Sequence, residues 1–274
     1  MSSTLIPGTY MKKQKIGILD SGFGGLSIWL EIVKILPFER ILYVCDQKNI
    51  PYGTKSSKQI YQLSKKMITF LHSKEVNIIV IACNTISVSC LDKLRSDFPS
   101  IKIIGTVPVI KTAAEQTKNK HIGILATPVT AKSNYLQFLA HKYAVDCKIT
   151  IVASSKLVSY IEKGEIDSQN VKPELQRIAN IFNKNNIDTL IMACTHFPFL
   201  KAQLNALLGS KVMYLDSGGA VARQLQKLVG EGGAGSINNA YTYEFYTTGD
   251  NTYFSKIAKQ LIRRNINNDV HISL

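Results

Sequence analysis

Two cysteines stand at matching places in the sequence. Cys83 follows the mostly apolar run Val76–Ala82, and Cys194 follows the mostly apolar run Ile187–Ala193. Two acid/base groups on opposite sides of one carbon can invert its configuration, because one removes a proton and the other returns a proton to the opposite face. A thiol can fill either role. The matching pair therefore predicts proton transfer at a carbon stereocentre, although a single buried cysteine is more often a small core residue.

Two polar residues, which like the cysteines lie at or near the ends of predicted strands, predict assistance to the thiols. Asp20 follows the apolar run Ile16–Leu19, and His196 lies two residues after Cys194. A carboxylate or an imidazole can accept a thiol proton and set the protonation state, so we expect each to assist one thiol. For Asp20 the alternative is an N-cap, and for His196 it is a purely structural histidine.

The residues directly after the two cysteines predict helix starts. Asn84, Thr85 and Thr195 are residue types able to cap a helix. The positive end of a helix favours a thiolate and lowers a cysteine pKa from about 8.5. Its free N–H groups also bind carboxylates or phosphates. Both helix starts are therefore candidate sites for an anionic group.

A glycine-rich turn and the spacing of possible metal ligands bear on cofactors. Gly22-x-Gly24-Gly25 predicts close approach of the backbone to an anionic group, but it is neither the dinucleotide fingerprint nor a phosphate loop. Cys194 and His196 are two residues apart, and no second Cys/His pair with zinc spacing accompanies them. We therefore expect no nucleotide cofactor and no metal.

Short β-branched apolar runs alternate with helical patterns along the chain. The predicted strands are Ile16–Leu19, Ile41–Cys45, Ile78–Ala82, Ile101–Ile104, Ile122–Leu125, Ile149–Ala153, Leu190–Ala193, Val212–Leu215 and Tyr241–Thr247. One helix is predicted from Leu26 to Leu36, where Pro37 ends it, and another begins after Ser56 or Ser57 as the N-cap. Such alternation is typical of parallel sheets with most strands buried on both faces. Ligands bind outside the carboxyl ends of such strands.

An internal repeat predicts two similar domains. Ile16–Leu19 recurs at Ile122–Leu125, a shift of 106 residues, and the two cysteine segments are related by a shift of 111. We expect an α/β fold of two similar domains with mostly parallel sheets, related by a pseudo-twofold axis, and an active site in the cleft between them. The first domain would comprise residues 11–106 plus 214–274, and the second residues 107–213.

The composition excludes several classes of protein. Of the 274 residues, 45% are hydrophobic and 19% charged, which is typical of a globular protein and not of a disordered or coiled-coil one. The sequence has no run of 18 apolar residues, so we expect no membrane association. Five cysteines without disulfide-type spacing, and no pattern of a secretion signal, favour reduced thiols in the cytoplasm.

The charge leaves a second class of function open. Lys and Arg outnumber Asp and Glu by 33 to 19, a formal net charge of +14, which would suit a non-catalytic, nucleic-acid-associated binding protein. Only six of these residues are Arg, the type favoured for recognition of phosphates and bases, and the lysines are scattered. Nucleic acid is therefore the less favoured partner. A positive field would also attract an anionic small-molecule substrate.

Seven short segments, spread over nearly the whole chain, carry a resemblance to a known family. They are IGILDSGFGG (16–25), NIPYG (49–53), ACNT (82–85), GTVP (105–108), ATPVT (126–130), LVSYIEKGE (157–165) and ACTHFPFL (193–200). In this order they closely resemble the glutamate racemases of the cofactor-independent Asp/Glu racemase superfamily. Departures from the family pattern are Ala193 and Phe197 in place of Gly and Tyr, and Ser159-Tyr160 in place of Pro-Leu.

The resemblance implies a bacterial enzyme that interconverts L- and D-glutamate without pyridoxal phosphate and supplies D-glutamate for peptidoglycan synthesis. Cys83 would act on D-glutamate and Cys194 on L-glutamate. Asp20, His196 and Glu162 would assist them. Glu165, three residues further on, is an alternative to the last of these. The implied substrate contacts are Asp20, Ser21, Tyr52, Gly53, Asn84, Thr85, Thr127, Thr195 and His196. A homodimer is implied as well, and a sister racemase or isomerase acting on aspartate or a related acid is the nearest alternative.

Overall fold

The computed structural model describes residues 15–230, 243–264, 269–272 and 274. The strands are β1 Lys15–Asp20, β2 Arg40–Cys45, β3 Ile78–Ile81, β4 Lys102–Gly105, β5 His121–Ala126, β6 Lys148–Ala153, β7 Thr189–Ala193, β8 Met213–Leu215, β9 Tyr243–Thr247 and β10 Asp269–His271. The helices are α1 Leu26–Ile35, α2 Ser57–Ser73, α3 Asn84–Asp97, α4 Ile110–Gln116, α5 Pro128–Ala131, α6 Asn134–Tyr143, α7 Lys156–Glu162, α8 Lys172–Lys184, α9 Lys201–Leu208, α10 Gly218–Val229 and α11 Asn251–Ile262. Short 3₁₀ turns lie at Gln47–Asn49, Tyr52–Thr54 and Phe197–Leu200. No helix within these ranges has both the length and the hydropathy to span a lipid bilayer.

All neighbouring strands in the two sheets are parallel. The first sheet has six strands in the order β10-β9-β2-β1-β3-β4, and the second has four in the order β6-β5-β7-β8. The order β2-β1-β3-β4 of the first sheet is therefore repeated by all four strands of the second. The predicted α/β class, with two similar and mostly parallel sheets, is confirmed.

The central strands are buried on both faces, whereas two strands at sheet ends are not. Nearly every residue of β1, β2, β3, β5 and β7 is buried. In contrast, β6 and β8 are largely half-exposed, and the Ile151 side chain of β6 is 44% exposed. The prediction that most strands are buried on both faces is confirmed for the central strands, and β6 and β8, at the two ends of the second sheet, are exceptions.

The chain enters the second sheet after β4 and returns to the first sheet after β8. Strand β8 ends at Leu215, so the second sheet extends two residues past the predicted domain end at 213. In the tail, β9 pairs with β2, and β10 pairs with β9. Helices α10 and α11 pack against α1. Residues 11–14, 231–242, 265–268 and 273 of the predicted first domain lie outside the described residues, and the domain division stays a prediction.

The register of the strands brings polar residues of each sheet to one edge. In the first sheet, the pairing of β1 with β3 puts Cys83 one residue past the level of Asp20. In the second sheet, the pairing of β5 with β7 puts Thr127 level with Cys194. These four residues lie at or just beyond the carboxyl ends of their strands, where ligands bind to parallel sheets.

Helix α2 begins with a capping box at one of the two predicted N-cap residues. Ser56 Oγ accepts a hydrogen bond from Gln59 N at 3.3 Å, and Gln59 Oε1 accepts one from Ser56 N at 3.0 Å. Both of these N–H groups would otherwise lack a partner at the start of the helix. Further along the helix, Ile60 and Met67 are fully buried. The cap therefore fixes where the helix starts, and the spacing of its apolar residues sets the face that it buries.

Replacing Ser56 by Ala should remove this capping box and lower the free energy of unfolding by about 1 kcal/mol. Ser57→Ala is the matched control, because Ser57 is the first residue inside the helix, and it should change the free energy by less than about 0.5 kcal/mol. Urea denaturation of both variants and the wild type measures the difference. Equal losses in the two variants would show that the capping box does not stabilise α2.

Candidate active site

Residues that follow strands of both sheets line one cavity. They are Ser21, Pro51, Tyr52, Gly53, Cys83, Asn84, Thr85, Thr127, Ser155, Val158, Cys194, Thr195 and His196. Both candidate thiols are among them, and each cysteine is only 5% exposed. Of the predicted site residues, Asp20 and Glu162 are outside this lining, and they are hydrogen-bonded to residues that belong to it.

Cys83 has a hydroxyl group beside it and a carboxylate behind that hydroxyl. The Cys83 sulfur lies 3.7 Å from Ser21 Oγ, which in turn donates a hydrogen bond to Asp20 Oδ1 at 3.2 Å. Burial raises the pKa of the Cys83 thiol well above its ordinary value, and the negative charge of Asp20 raises it further. Cys83 is therefore a neutral thiol at neutral pH and holds a proton to donate.

Asp20 is fully buried and is held by groups from both sheets. Its Oδ1 accepts a hydrogen bond from Ser21 N at 2.5 Å, and its Oδ2 accepts one from Thr195 Oγ1 at 3.2 Å. Burial raises the pKa of Asp20 to about 6, although the positive charge of His196 lowers it in part. A carboxyl group with this pKa is mostly ionised at pH 7 and can still take up a proton.

Cys194 faces an imidazole instead of a hydroxyl. Its sulfur lies 3.6 Å from His196 Nδ1, and His196 Nε2 lies 2.6 Å from Glu162 Oε1. Burial lowers the pKa of His196, but the hydrogen bonds and charges of Cys194 and Glu162 outweigh it and raise the pKa well above its ordinary value. Both nitrogens of an imidazolium donate hydrogen bonds, so this ring can serve a thiolate and a carboxylate together.

Glu162 is the last residue of α7 and is 7% exposed. Besides its contact with His196, its Oε1 accepts a hydrogen bond from Phe23 N at 2.7 Å. Within the described residues it is Glu162, and not the alternative Glu165, whose carboxylate contacts the imidazole. The carboxylate thus joins the turn after β1 to the loop after β7.

The two cysteines lie at helix starts of different kinds. Cys83 occupies the N-cap position of α3, which begins at Asn84, and no side chain caps this end. After Cys194 the chain forms a short 3₁₀ turn from Phe197, with His196 at its N-cap position and again no side-chain cap. The symmetry of the two sites therefore applies to the strands and the thiols but not to the helix and the turn that come after them.

The prediction that Asn84, Thr85 and Thr195 cap helices is wrong, because their side chains bond to other segments. Asn84 Nδ2 donates to the carbonyl oxygen of Thr106 at 3.4 Å. Thr85 Oγ1 lies 2.9 Å from Thr127 Oγ1, which joins α3 to the end of β5. Thr195 Oγ1 donates to a carboxylate at the end of β1 in the first sheet. These hydroxyl and amide groups hold the cavity walls together.

Tyr52 and Gly53 form the part of the wall that follows β2. The Tyr52 side chain is 1% exposed, and its hydroxyl donates to Asp46 Oδ2 at 2.6 Å. A Cβ atom on Gly53 would lie 2.9 Å from Thr127 Cβ, so this segment touches the end of β5 in the second sheet. A side chain at position 53 would therefore push the two cavity walls apart.

The turn after β1 contains glycines because the candidate acid/base groups lie against it. A Cβ atom on Gly22 would lie 2.2 Å from Glu162 Oε1, and one on Gly24 would lie 2.3 Å from His196 Nδ1. The sequence predicts that this turn approaches an anionic group. In the structure the group that it approaches is the protein's own Glu162 carboxylate, which the backbone N–H of Phe23 binds.

Comparisons with known proteins assign the chain to a family. A family model described as Asp/Glu/hydantoin racemase matches residues 24–225. The chain belongs to this racemase family. A curated glutamate racemase of Herpetosiphon aurantiacus is 38% identical over 255 residues, which are 92% of this chain and 99% of that protein. The protein is therefore an isomerase of the amino-acid racemase class.

Two solved structures of glutamate racemases share the fold of this racemase. The enzyme from Bacillus anthracis has a TM-score of 0.84 at 30% identity, over 96% of this chain and 99% of that one. The enzyme from Francisella tularensis, solved in complex with D-glutamate, has a TM-score of 0.82 at 30% identity, over 95% and 98% of the two chains.

The cavity is also lined by Pro51, from the segment NIPYG (49–53), and by two residues that the sequence analysis missed, Ser155 and Val158. Ser155 lies two residues after the end of β6, so the rule that polar residues at strand ends approach the ligand could have found it. Val158 lies on α7, one turn before Glu162, and its apolar side chain gives no chemical signal that it lines a cavity.

Replacing Gly24 by Ala should lower racemase activity by about 100-fold, because the new methyl group displaces His196 and small displacements of a catalytic group carry losses of this size. Gly219→Ala is the control, since a Cβ atom there meets only the Arg223 guanidinium, at 3.3 Å. Activity and thermal unfolding are measured for both. Full activity in a correctly folded Gly24→Ala protein would contradict the placement of His196.

Replacing Asp20 by Asn should change how stability depends on pH. The pKa of Asp20 is about 6 in the folded protein against 3.8 for the free group, so ionisation favours the unfolded chain. The resulting loss of stability is absent below pH 3.8, grows as the pH rises through 6, and reaches about 3 kcal/mol. The Asn variant lacks this loss.

Urea denaturation of the Asp20→Asn variant and the wild type, at several pH values on both sides of this interval, measures the effect. The variant should gain stability relative to the wild type as the pH rises. Parallel pH profiles of the two proteins would contradict the raised pKa of Asp20.

Proposed function

We propose that this racemase interconverts L- and D-glutamate with two cysteine thiols and no cofactor. The observation that carries the proposal is the pair of thiols at the ends of the matching strands β3 and β7, both in the wall of one cavity. Glutamate is supported as the substrate by the relatives: the H. aurantiacus protein is named a glutamate racemase, and the F. tularensis enzyme was solved with D-glutamate.

The surroundings of the two thiols support a direction for each proton. Cys83 is a neutral thiol, whereas Cys194 lies beside the imidazolium of His196. In the L-to-D direction, a thiolate at Cys194 takes the α-proton of L-glutamate and becomes a thiol. The Cys83 thiol then gives its proton to the opposite face of the carbanion, which yields D-glutamate and a thiolate at Cys83. The D-to-L direction runs through the same steps in reverse.

The neighbouring polar groups stabilise the charges that these steps create. Ser21 Oγ, 3.7 Å from the Cys83 sulfur, can donate a hydrogen bond to a thiolate there. The ionised carboxylate of Asp20 suits the ammonium group of the substrate. Glu162 keeps His196 protonated, and His196 donates to the thiolate at Cys194. The Cys194 half therefore has a positively charged partner, and the Cys83 half has a hydroxyl donor.

The remaining cavity residues supply hydrogen bonds for the two carboxylates of the substrate. The backbone N–H groups at the start of α3, which begins at Asn84, suit a carboxylate. The proposed substrate contacts in the cavity lining are Ser21, Tyr52, Gly53, Asn84, Thr85, Thr127, Thr195 and His196. Asp20, which is hydrogen-bonded to Ser21 and Thr195 of this lining, is proposed as a further contact. Ser155, which also lines the cavity, is added to this set.

The cellular role follows from the proposed product. D-glutamate would be supplied for peptidoglycan synthesis in the bacterial cytoplasm, where the described cysteines, all free thiols, would stay reduced. The homodimer implied by the resemblance stays a prediction.

Incubation with L-glutamate in D₂O, without pyridoxal phosphate and with a chelator, tests the proposal. Proton NMR should show loss of the α-proton signal while circular dichroism decays to zero, because each inversion brings in a solvent deuteron. L- and D-aspartate are assayed in parallel. Exchange of aspartate alone would contradict glutamate as the substrate, and exchange of neither acid would contradict the two-thiol reaction.

Replacing either thiol by the hydroxyl of Ser should lower racemisation by at least about 100-fold, since a positioned acid/base group contributes 10²–10⁴-fold. Cys83→Ser should still exchange the α-proton of L-glutamate, and Cys194→Ser that of D-glutamate, because one thiol remains in each. Cys147→Ser is the matched control, because that half-buried thiol does not line the cavity, and it should be fully active. Equal activity in all three variants would overturn the roles of the two thiols.

A further inference from the structure

The C-terminal helix α11 holds the end of the helix that carries Glu162. The Tyr253 hydroxyl donates a hydrogen bond to the backbone carbonyl oxygen of Glu162 at 2.7 Å. The Gln260 amide donates to the backbone carbonyl oxygen of Gly164, also at 2.7 Å. The last carbonyl groups of a helix have no partner within it, so the Tyr253 bond satisfies one at the end of α7 from another part of the chain. The Gln260 bond holds the turn directly after the helix.

The backbone after α7 is shaped to fit against α11. Gly164 has a φ of +71°, a left-handed conformation that favours glycine after a helix. A Cβ atom at this position would lie 2.6 Å from Gln260 Oε1 and 2.9 Å from Ile257 Cδ1. The end of α7 therefore packs directly on α11, with no room for a side chain between them.

The same helix supports the other hydrogen-bond partner of the Glu162 carboxylate. Phe23, whose N–H donates to Glu162 Oε1, stacks its ring on Phe254 with centroids 5.3 Å apart and an interplanar angle of 20°. It also contacts the Tyr253 ring, with centroids 6.3 Å apart. Helix α11 thus contacts both the helix that carries the carboxylate and the residue that binds it.

We propose that Tyr253, Phe254 and Gln260 form a clamp, the α11 clamp, that positions Glu162 against His196 for the Cys194 half of the reaction. Tyr253 and Gln260 are positioning residues, because they bind the backbone at the end of α7 and do not line the cavity. The proposal rests on the proposed function for its kinetic consequences.

The clamp acts on one thiol and not on the other. Glu162 reaches Cys194 through His196, over contacts of 2.6 and 3.6 Å. The contact of Cys83 is the Ser21 hydroxyl, which donates a hydrogen bond to Asp20. Asp20 also accepts a hydrogen bond from Thr195. Loosening α11 should therefore slow proton transfer at Cys194 and leave proton transfer at Cys83 unchanged.

Tyr253→Phe tests the clamp, because it removes only the hydroxyl group. The kcat/KM values for L- and D-glutamate should fall by the same factor, since the equilibrium constant between enantiomers is one. The loss of one hydrogen bond predicts that each value falls about three- to tenfold. The isotope effect on kcat/KM should rise for L-glutamate deuterated at Cα and fall for deuterated D-glutamate, because the Cys194 step becomes more rate-limiting. Gln260→Met should give the same pattern.

Tyr243→Phe is the matched control. Its hydroxyl also donates to a backbone carbonyl oxygen, that of Pro37 at 3.1 Å, and it lies on strand β9 away from the cavity. This variant should show wild-type kinetics and isotope effects. Unfolding in urea is measured for each variant. A loss of stability in Tyr253→Phe without the opposite changes in the two isotope effects would overturn the clamp and leave a structural role only.

An NMR titration of the imidazoles gives a readout that does not need a substrate. The His196 signal, assigned by its loss in His196→Gln, should titrate at lower pH in Tyr253→Phe than in Tyr243→Phe, because its bond to Glu162 is weakened. An unchanged titration would overturn the clamp. If the wild type does not racemise glutamate, the proposed function fails, and the clamp is still decided by this titration.

Discussion

The hydrogen bond between Glu162 and His196 is the interaction that makes the surroundings of Cys194 differ from those of Cys83. Both side chains are more than nine-tenths buried, and their polar atoms lie 2.6 Å apart. An unpaired charge in such surroundings would be strongly destabilised, so each group makes the other's charge tolerable. The pair places a positive group beside Cys194, whereas the surroundings of Cys83 are neutral or negative. In the proposed reaction, that difference separates the thiol that accepts a proton from the thiol that donates one.

A duplicated sheet supplies two equivalent thiols, and the loops around it make them different. The order of four strands in the first sheet recurs in the second, so Cys83 and Cys194 follow equivalent strands, β3 and β7. Yet an α-helix begins directly after Cys83, and a 3₁₀ turn begins three residues after Cys194. Stereoinversion requires this combination of equivalent groups in different surroundings. The two faces of one carbon need groups of similar kind in opposite protonation states.

After the chain returns to the first sheet, its C-terminal part, which contains β9 and α11, contacts the helix that carries Glu162. Strand β9 pairs with β2, and α11 then packs against both α1 and the end of α7. The Tyr253 hydroxyl binds the backbone carbonyl oxygen of Glu162 across a sequence separation of 91 residues. A residue of the tail thereby holds the backbone of the residue that carries the carboxylate. The tail is therefore part of the support of the site as well as of the fold.

The sequence by itself predicted the class of fold and the repeat, because periodicity is a local property of the chain. Strand-end polarity, together with the family resemblance, predicted most of the residues that line the cavity. The sequence also predicted an N-cap at Ser56 or Ser57, and the capping contact of Ser56 spans only three residues. The structure decided what each polar group binds. Thr85 and Thr195 suit helix caps by type, but they bond across the cavity instead, to Thr127 and Asp20. The choice of Glu162 over Glu165, and the contacts of Tyr253, depend on segments that meet only in the folded chain, and no local pattern specifies them.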